Sequence, residues 1–221
     1  MGNDTPSKLD LSRALNDAVE VYKRNFLTFI LAALLLDLLS IASLLVLTGP
    51  LWGAIVLMTL RAMSDPKAEV RLGDIFSTFN LKQFGPLVAL CFLTAIPILL
   101  GLVMLVIPGL VLMTLWMFPT YLMVDQNLGV WDSIRTSGRI VLRRGFWINA
   151  AAAFVIFALC LAPSLIPGVG FLISLLVAPL AWLINTSCYI QEVREQYDVT
   201  DFAPRGFPVG PPPFAQAAPQ G

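Results

Sequence analysis

Residues 84–109 read FGPLVALCFLTAIPILLGLVMLVIPG and residues 110–124 continue LVLMTLWMFPTYLMV, so no charge occurs between Lys82 and Asp125. About 20 apolar residues cross a bilayer as a helix, and this stretch therefore reads as two crossings joined at Pro108-Gly109. Further apolar segments lie at about 26–48 and 50–63 on one side of it, and at about 146–166 and 169–190 on the other. The expected fold is an all-α polytopic membrane bundle, with six transmembrane helices in three hairpins and short cytoplasmic interfacial helices.

Charge orients the bundle. The hairpin turns Gly49-Pro50, Pro108-Gly109 and Pro167-Gly168 carry none, and all fourteen cations fall on the opposite side. They are Lys8, Arg13, Lys23, Arg24, Arg61, Lys67, Arg71, Lys82, Arg135, Arg139, Arg143, Arg144, Arg194 and Arg205. The positive-inside rule then puts both termini in the cytoplasm. The first apolar run is too long for a signal-peptide core, so the first helix itself is expected to direct insertion. Three regions follow: a cytoplasmic amphipathic segment 1–25, a membrane domain 26–190, and a cytoplasmic, disordered, proline-rich tail 191–221. The formal net charge of zero says nothing about partners, but the distribution of the cations faces an anionic cytoplasmic leaflet, and nucleic acid is not an expected partner.

Two crossings are short. The second has about thirteen apolar residues before Arg61, and the fourth is interrupted by Pro119. Either Arg61 snorkels and its helix extends toward Pro66, or the Gly49-Pro50 turn lies inside the bilayer, where neighbouring protein must satisfy its backbone groups. Full spans are the favoured expectation.

The three hairpins share a pattern. From Asn25-Phe26, Phe84-Gly85 and Gly145-Phe146 to the following turn the separations are 24, 24 and 22 residues. An amphipathic segment precedes each. Leu11, Leu15, Ala18, Tyr22 and Phe26 recur at helical spacing in the first, with Asp10 placed to cap it. Leu72, Ile75, Phe76 and Phe79 mark the second, and Val130, Trp131, Ile134 and Val141 the third. This suggests three parallel repeats of interfacial helix, membrane helix, tight turn and returning helix, although hydrophobic hairpins also resemble one another without common ancestry.

The order of Tyr22-Lys23-Arg24-Asn25-Phe26, Gly73-Asp74-Ile75-Phe76, Ile107-Pro108-Gly109, Asp125, Trp131-Asp132-Ser133-Ile134 and Ser137 resembles a group of bacterial six-helix integral membrane proteins of uncharacterised function. That group includes the membrane domain of glycerophosphoryl diester phosphodiesterases. The likeness covers roughly residues 10 to 190. It implies a six-helix fold and a bacterial inner (plasma) membrane location, not a reaction, and no catalytic domain follows in this sequence.

Chemistry is sparse. The chain has no histidine, which excludes a His-dependent triad, a His metal ligand and a histidine proton relay. Cys91, Cys160 and Cys188 lie singly in different spans and read as packing residues. Asp37 is the one acidic residue near the middle of a span, where its charge costs about 2.5–3.5 kcal/mol on insertion scales. It could carry a proton or cation, or hydrogen-bond to Asn149 or Asn185 across the bundle. Those three residues form the candidate intramembrane polar site, although Asn149, Asn185, Thr186 and Ser187 are also common packing groups in membrane helices.

Arg135, Arg139 and Arg143, with Arg144 beside them, are the candidate anionic-lipid contacts, and the same charges also serve as an orientation signal. Asp74, Asp125 and Asp132 are isolated in sequence, and only their convergence at one inner-face cavity would favour the remoter alternative of a membrane enzyme acting on lipid headgroups. No cofactor is expected. Pro211-Pro212-Pro213 could dock a partner, though a flexible terminus is the simpler reading. The chain is therefore expected to be non-enzymatic, organising membrane lipids or a protein partner, with a homo-oligomer as a further option. The alternative is a small transporter or channel using Asp37.

Overall fold

The computed structural model describes residues 9–43, 45–65, 70–79, 81–104, 106–166 and 169–195, and all regular structure among them is helical. The Pro167-Gly168 turn, Lys8, Lys67, Arg205 and the prolines 211–213 lie outside the described residues, as does the rest of the tail beyond Glu195. Four helical stretches are long and apolar enough to cross a membrane: Gln83–Met104, Val106–Gln126, Phe146–Pro163 and Gly170–Arg194. A fifth is reached if Leu11–Arg24 and Phe26–Ala42, which meet at 92°, count as one bent span.

The first helix, α1 (Leu11–Arg24), starts where Asp10 caps it, its Oδ1 accepting from the backbone N–H of Ser12 and Arg13 at 2.9 and 3.1 Å. Its face of Ala14, Ala18 and Val21 is buried, and the helix packs on α9 (Gly170–Tyr189). At Asn25 the chain turns sharply into α2 (Phe26–Ala42), and α3 (Thr48–Ser64) returns beside it. Ala33 of α2, Ile55 of α3 and Trp182 of α9 pack together, with Trp52 set edge-on against Trp182.

The α3 helix is the most enclosed part of the bundle. Gly49 and Pro50 lie inside its first turn, not between helices, because proline lacks the N–H that a first-turn position leaves unbonded anyway. The turn that joins α2 to α3 falls earlier, around Ser43–Leu47, with Leu45 in the left-handed region at φ 68°. A Cβ on Gly49 would stand 2.4 Å from the Leu87 carbonyl oxygen. The Thr78 hydroxyl, from the loop after α3, donates to the Pro50 carbonyl at 2.6 Å. The beginning of α3 is thus buried against protein, and the Thr78 hydroxyl adds a hydrogen bond to one of its carbonyls.

A 3-10 turn (Leu72–Phe76) stands where the second amphipathic helix was expected, and it leads to α4 (Leu81–Met104). The returning α5 (Val106–Leu115) again holds its Pro108-Gly109 pair in its first turn rather than between helices. Gly101 and Gly109 let the two backbones meet, since a Cβ on Gly109 would lie 2.5 Å from Leu102 N.

Pro119 then breaks the return. Its ring nitrogen cannot bond the Leu115 carbonyl, so α6 (Pro119–Gln126) begins anew. Ser137 of α7 (Val130–Arg144) fills the gap, donating to Leu115 O at 2.7 Å and accepting from Phe118 N at 3.2 Å. Gly145, at φ 124°, joins α7 to α8 (Phe146–Ser164), a backbone conformation that glycine alone adopts without strain. Outside, large apolar side chains face away from the bundle, Met104 at 80% and Ile107 at 72% exposure. An apolar perimeter of this extent needs lipid or partner protein to cover it.

Candidate functional site

The charged end of the molecule is organised by the last residues described. After Tyr189 the helix widens into a π-helical turn, Ile190–Arg194, in which Gln191, Glu192 and Val193 are buried. The expected tail boundary at residue 191 therefore falls within a packed helical element. Widened turns of this kind re-aim successive side chains, and here they reach different elements. Gln191 accepts from Asp10 N at 2.9 Å and donates to Asp10 O at 3.3 Å. Glu195 accepts from both terminal guanidinium nitrogens of Arg13, Nη1 at 2.9 Å and Nη2 at 2.6 Å.

Glu192 pairs with Arg144 at 3.0 Å, both side chains being at most 6% exposed. Arg194 donates to Ser64 Oγ at 2.7 Å, at the end of α3. The same guanidinium grips Asp125 through both carboxylate oxygens, Nε to Oδ2 at 3.0 Å and Nη2 to Oδ1.

Asp125 is completely buried. Besides Arg194 it accepts from Tyr189 OH at 2.8 Å and Gln126 Nε2 at 3.0 Å. Four hydrogen bonds thus reach the carboxylate, three on Oδ2 and one on Oδ1. Tyr189 stacks on Tyr121 at 5.0 Å, and the Tyr121 hydroxyl continues to Thr186 at 3.1 Å, which donates to Thr59 at 2.8 Å. The sequence reading missed this cluster because Asp125 and Arg194 are 69 residues apart. The only local signal is charge at 192, 194 and 195 that continues an unbroken helical run.

Farther into the bundle lies a cavity of about 410 Å³ between α3, α4, α5, α8 and α9. Trp52, Leu87, Ile98, Trp116, Ile156 and Phe157 form most of its wall, with Thr48, Cys91, Cys160 and Asn185 at intervals. Of the candidate polar site Asp37, Asn149 and Asn185, only Asn185 lines this cavity. Asn149 is buried near the charged end, where its Nδ2 donates to Gly145 O at 3.2 Å and it sits beside Glu192. Asp37 is partly exposed on α2. The three do not form one site.

Arg135, Arg139 and Arg143 are exposed along α7, while Arg144 turns inward to Glu192. Arg144 is therefore separated from the other three. Asp74 pairs with Arg61 at 3.0 Å, and Asp125 with Arg194. Two of the three carboxylates that could have converged on one reaction centre, Asp74 and Asp125, are thus held by different partners. Among the described residues, no group of three or more Cys, Asp or Glu could hold a metal ion.

Set against known proteins, the chain matches no family model, no curated protein and no solved structure.

Proposed function

We propose that this protein is a non-enzymatic, six-span component of a bacterial inner membrane, with both termini cytoplasmic, that organises lipids or partner proteins around it. The observation that carries this reading is the division of its interior. The buried ionic groups at the charged end are spent on one another, Asp125 with Arg194 and Glu192 with Arg144, whereas the large cavity deeper in the bundle has a mainly hydrocarbon wall that Asp37 does not line. A translocation path for ions or protons needs polar groups in sequence along a wetted route. Fixed pairs that tie helix ends together, beneath an apolar interior, suit a scaffold instead. The six spans count α2 and α3 separately, each about 26 Å long at 17 residues.

Purified protein in liposomes tests this reading. The expected result is no proton or cation flux from wild type or from Asp37→Asn, under conditions in which a control transporter works. Flux that Asp37→Asn abolishes in a folded protein would replace the scaffold with a transporter coupled through Asp37.

A further inference from the structure

The geometry points to a binding site for one anionic phospholipid, its acyl chain in the groove between α5 and α8 and its headgroup on Arg135 and Arg139 of α7. The groove encloses about 300 Å³ and is walled by Ile107, Val111, Phe146, Trp147, Ala150 and Phe154, among others. Thr114 also borders it, but its hydroxyl is already spent on Leu110 O at 2.8 Å. With no free polar group in its wall, the groove offers only dispersion and burial, which suits hydrocarbon. From Phe146 to Phe154 it follows about 12 Å of helix. Trp147, 81% exposed, stands at one edge, where an indole commonly marks the border between chains and headgroups.

The arginines supply the second half of the argument. Phe146 follows Arg143 by three residues, so the groove's lower end lies within about 11 Å of that position along the chain. Arg139 and Arg135 continue one and two turns beyond on the exposed face of α7. Like charges one turn apart repel, and an anion lying between them removes that repulsion. The one carboxylate in α7, Asp132, lies at its N-terminal turn beside Gly129. A positive-inside signal would need only charge at this end of the molecule. It would not require exposed arginines repeated at every turn of one helix face, on the helix that leads through Gly145 into the groove wall at Phe146. Arg144 is excluded from the headgroup site because it is closed onto Glu192.

This site deepens the lipid-organising reading and rests on it, with the charged end facing the anionic leaflet. The test is native mass spectrometry of the full-length protein, titrated with dioleoyl phosphatidylglycerol or dioleoyl phosphatidylcholine. Wild type is expected to bind phosphatidylglycerol more tightly. The double variant R135Q/R139Q should lose about thirtyfold for that lipid and leave phosphatidylcholine unchanged, while R135K/R139K keeps most of the preference. Ala150→Trp, which fills the groove, should weaken both lipids.

Equal affinity of wild type for the two lipids, or an unchanged preference in R135Q/R139Q, would overturn the site. A dimer whose formation expels phosphatidylglycerol would give the groove to a second copy and overturn it as well. Liposome flux, by contrast, would remove the scaffold reading and leave this selectivity readable on its own.

Discussion

A carboxylate with no exposure survives in an apolar bundle only if its charge is answered on every side, and Asp125 is answered by Arg194, Tyr189 and Gln126. Removing one charge of a buried pair costs about 3–5 kcal/mol where the group left behind is desolvated, and Arg194, though 22% exposed and bonded to Ser64, loses both its contacts to the carboxylate when Asp125 is neutralised. Asp125→Asn is expected to lower the midpoint of thermal unfolding in detergent by about 10 °C or more. Asp125→Asn combined with Arg194→Gln should lose less than the sum of the two single changes, since the pair shares one interaction. Additive losses would show that the two side chains stabilise the fold independently.

Backbone breaks in the membrane helices are bridged by side chains from elsewhere. Pro119 frees the Leu115 carbonyl, and Ser137 of α7 both donates to it and accepts from Phe118 N. Ser137→Ala should cost about 1–3 kcal/mol, the price of a buried unpaired group, read as a lower midpoint with the helix content unchanged. Much of this level was legible beforehand: the Asp10 cap, the amphipathic α1, the glycine junction into α8 and the interruption at Pro119 all follow from local residue chemistry. The turns were not, because Gly49-Pro50 and Pro108-Gly109 fit a connection and a first helical turn equally well. Nor was the Asp125 cluster, since hydropathy stops reading a helix at its first charges, and the partners of Glu192 and Arg194 lie in other helices. The 3-10 turn at Leu72–Phe76 was overestimated as a helix for the same local reason, a short apolar stripe that tertiary packing shaped differently.

Among the described residues no charge lies in α8, whereas α7, which leads into it, carries four arginines. The far end of α8 near Leu165, 72% exposed and about 28 Å of helix beyond Phe146, is expected to lie on the opposite side of the membrane from α7. In a background with Cys91, Cys160 and Cys188 replaced by Ala, Leu165→Cys and Arg135→Cys should react with a membrane-impermeant maleimide from opposite faces of sealed vesicles. Labelling of both from the same face would refute the crossing.

The clasp at the charged end also sets an order of events during synthesis. The docking face of α1, Ala14, Ala18 and Val21, packs on α9, and the side chains that fasten its start, Gln191 and Glu195, follow their partners by 181 and 182 residues. At about 5–20 residues per second, about 10–35 s separate the emergence of α1 from that of its partners. Throughout that interval the nascent chain must hold α1 without its final neighbours while the intervening helices insert. A chain released before residue 195 would lack the contacts that fasten the start of α1 and would be inserted but unlatched.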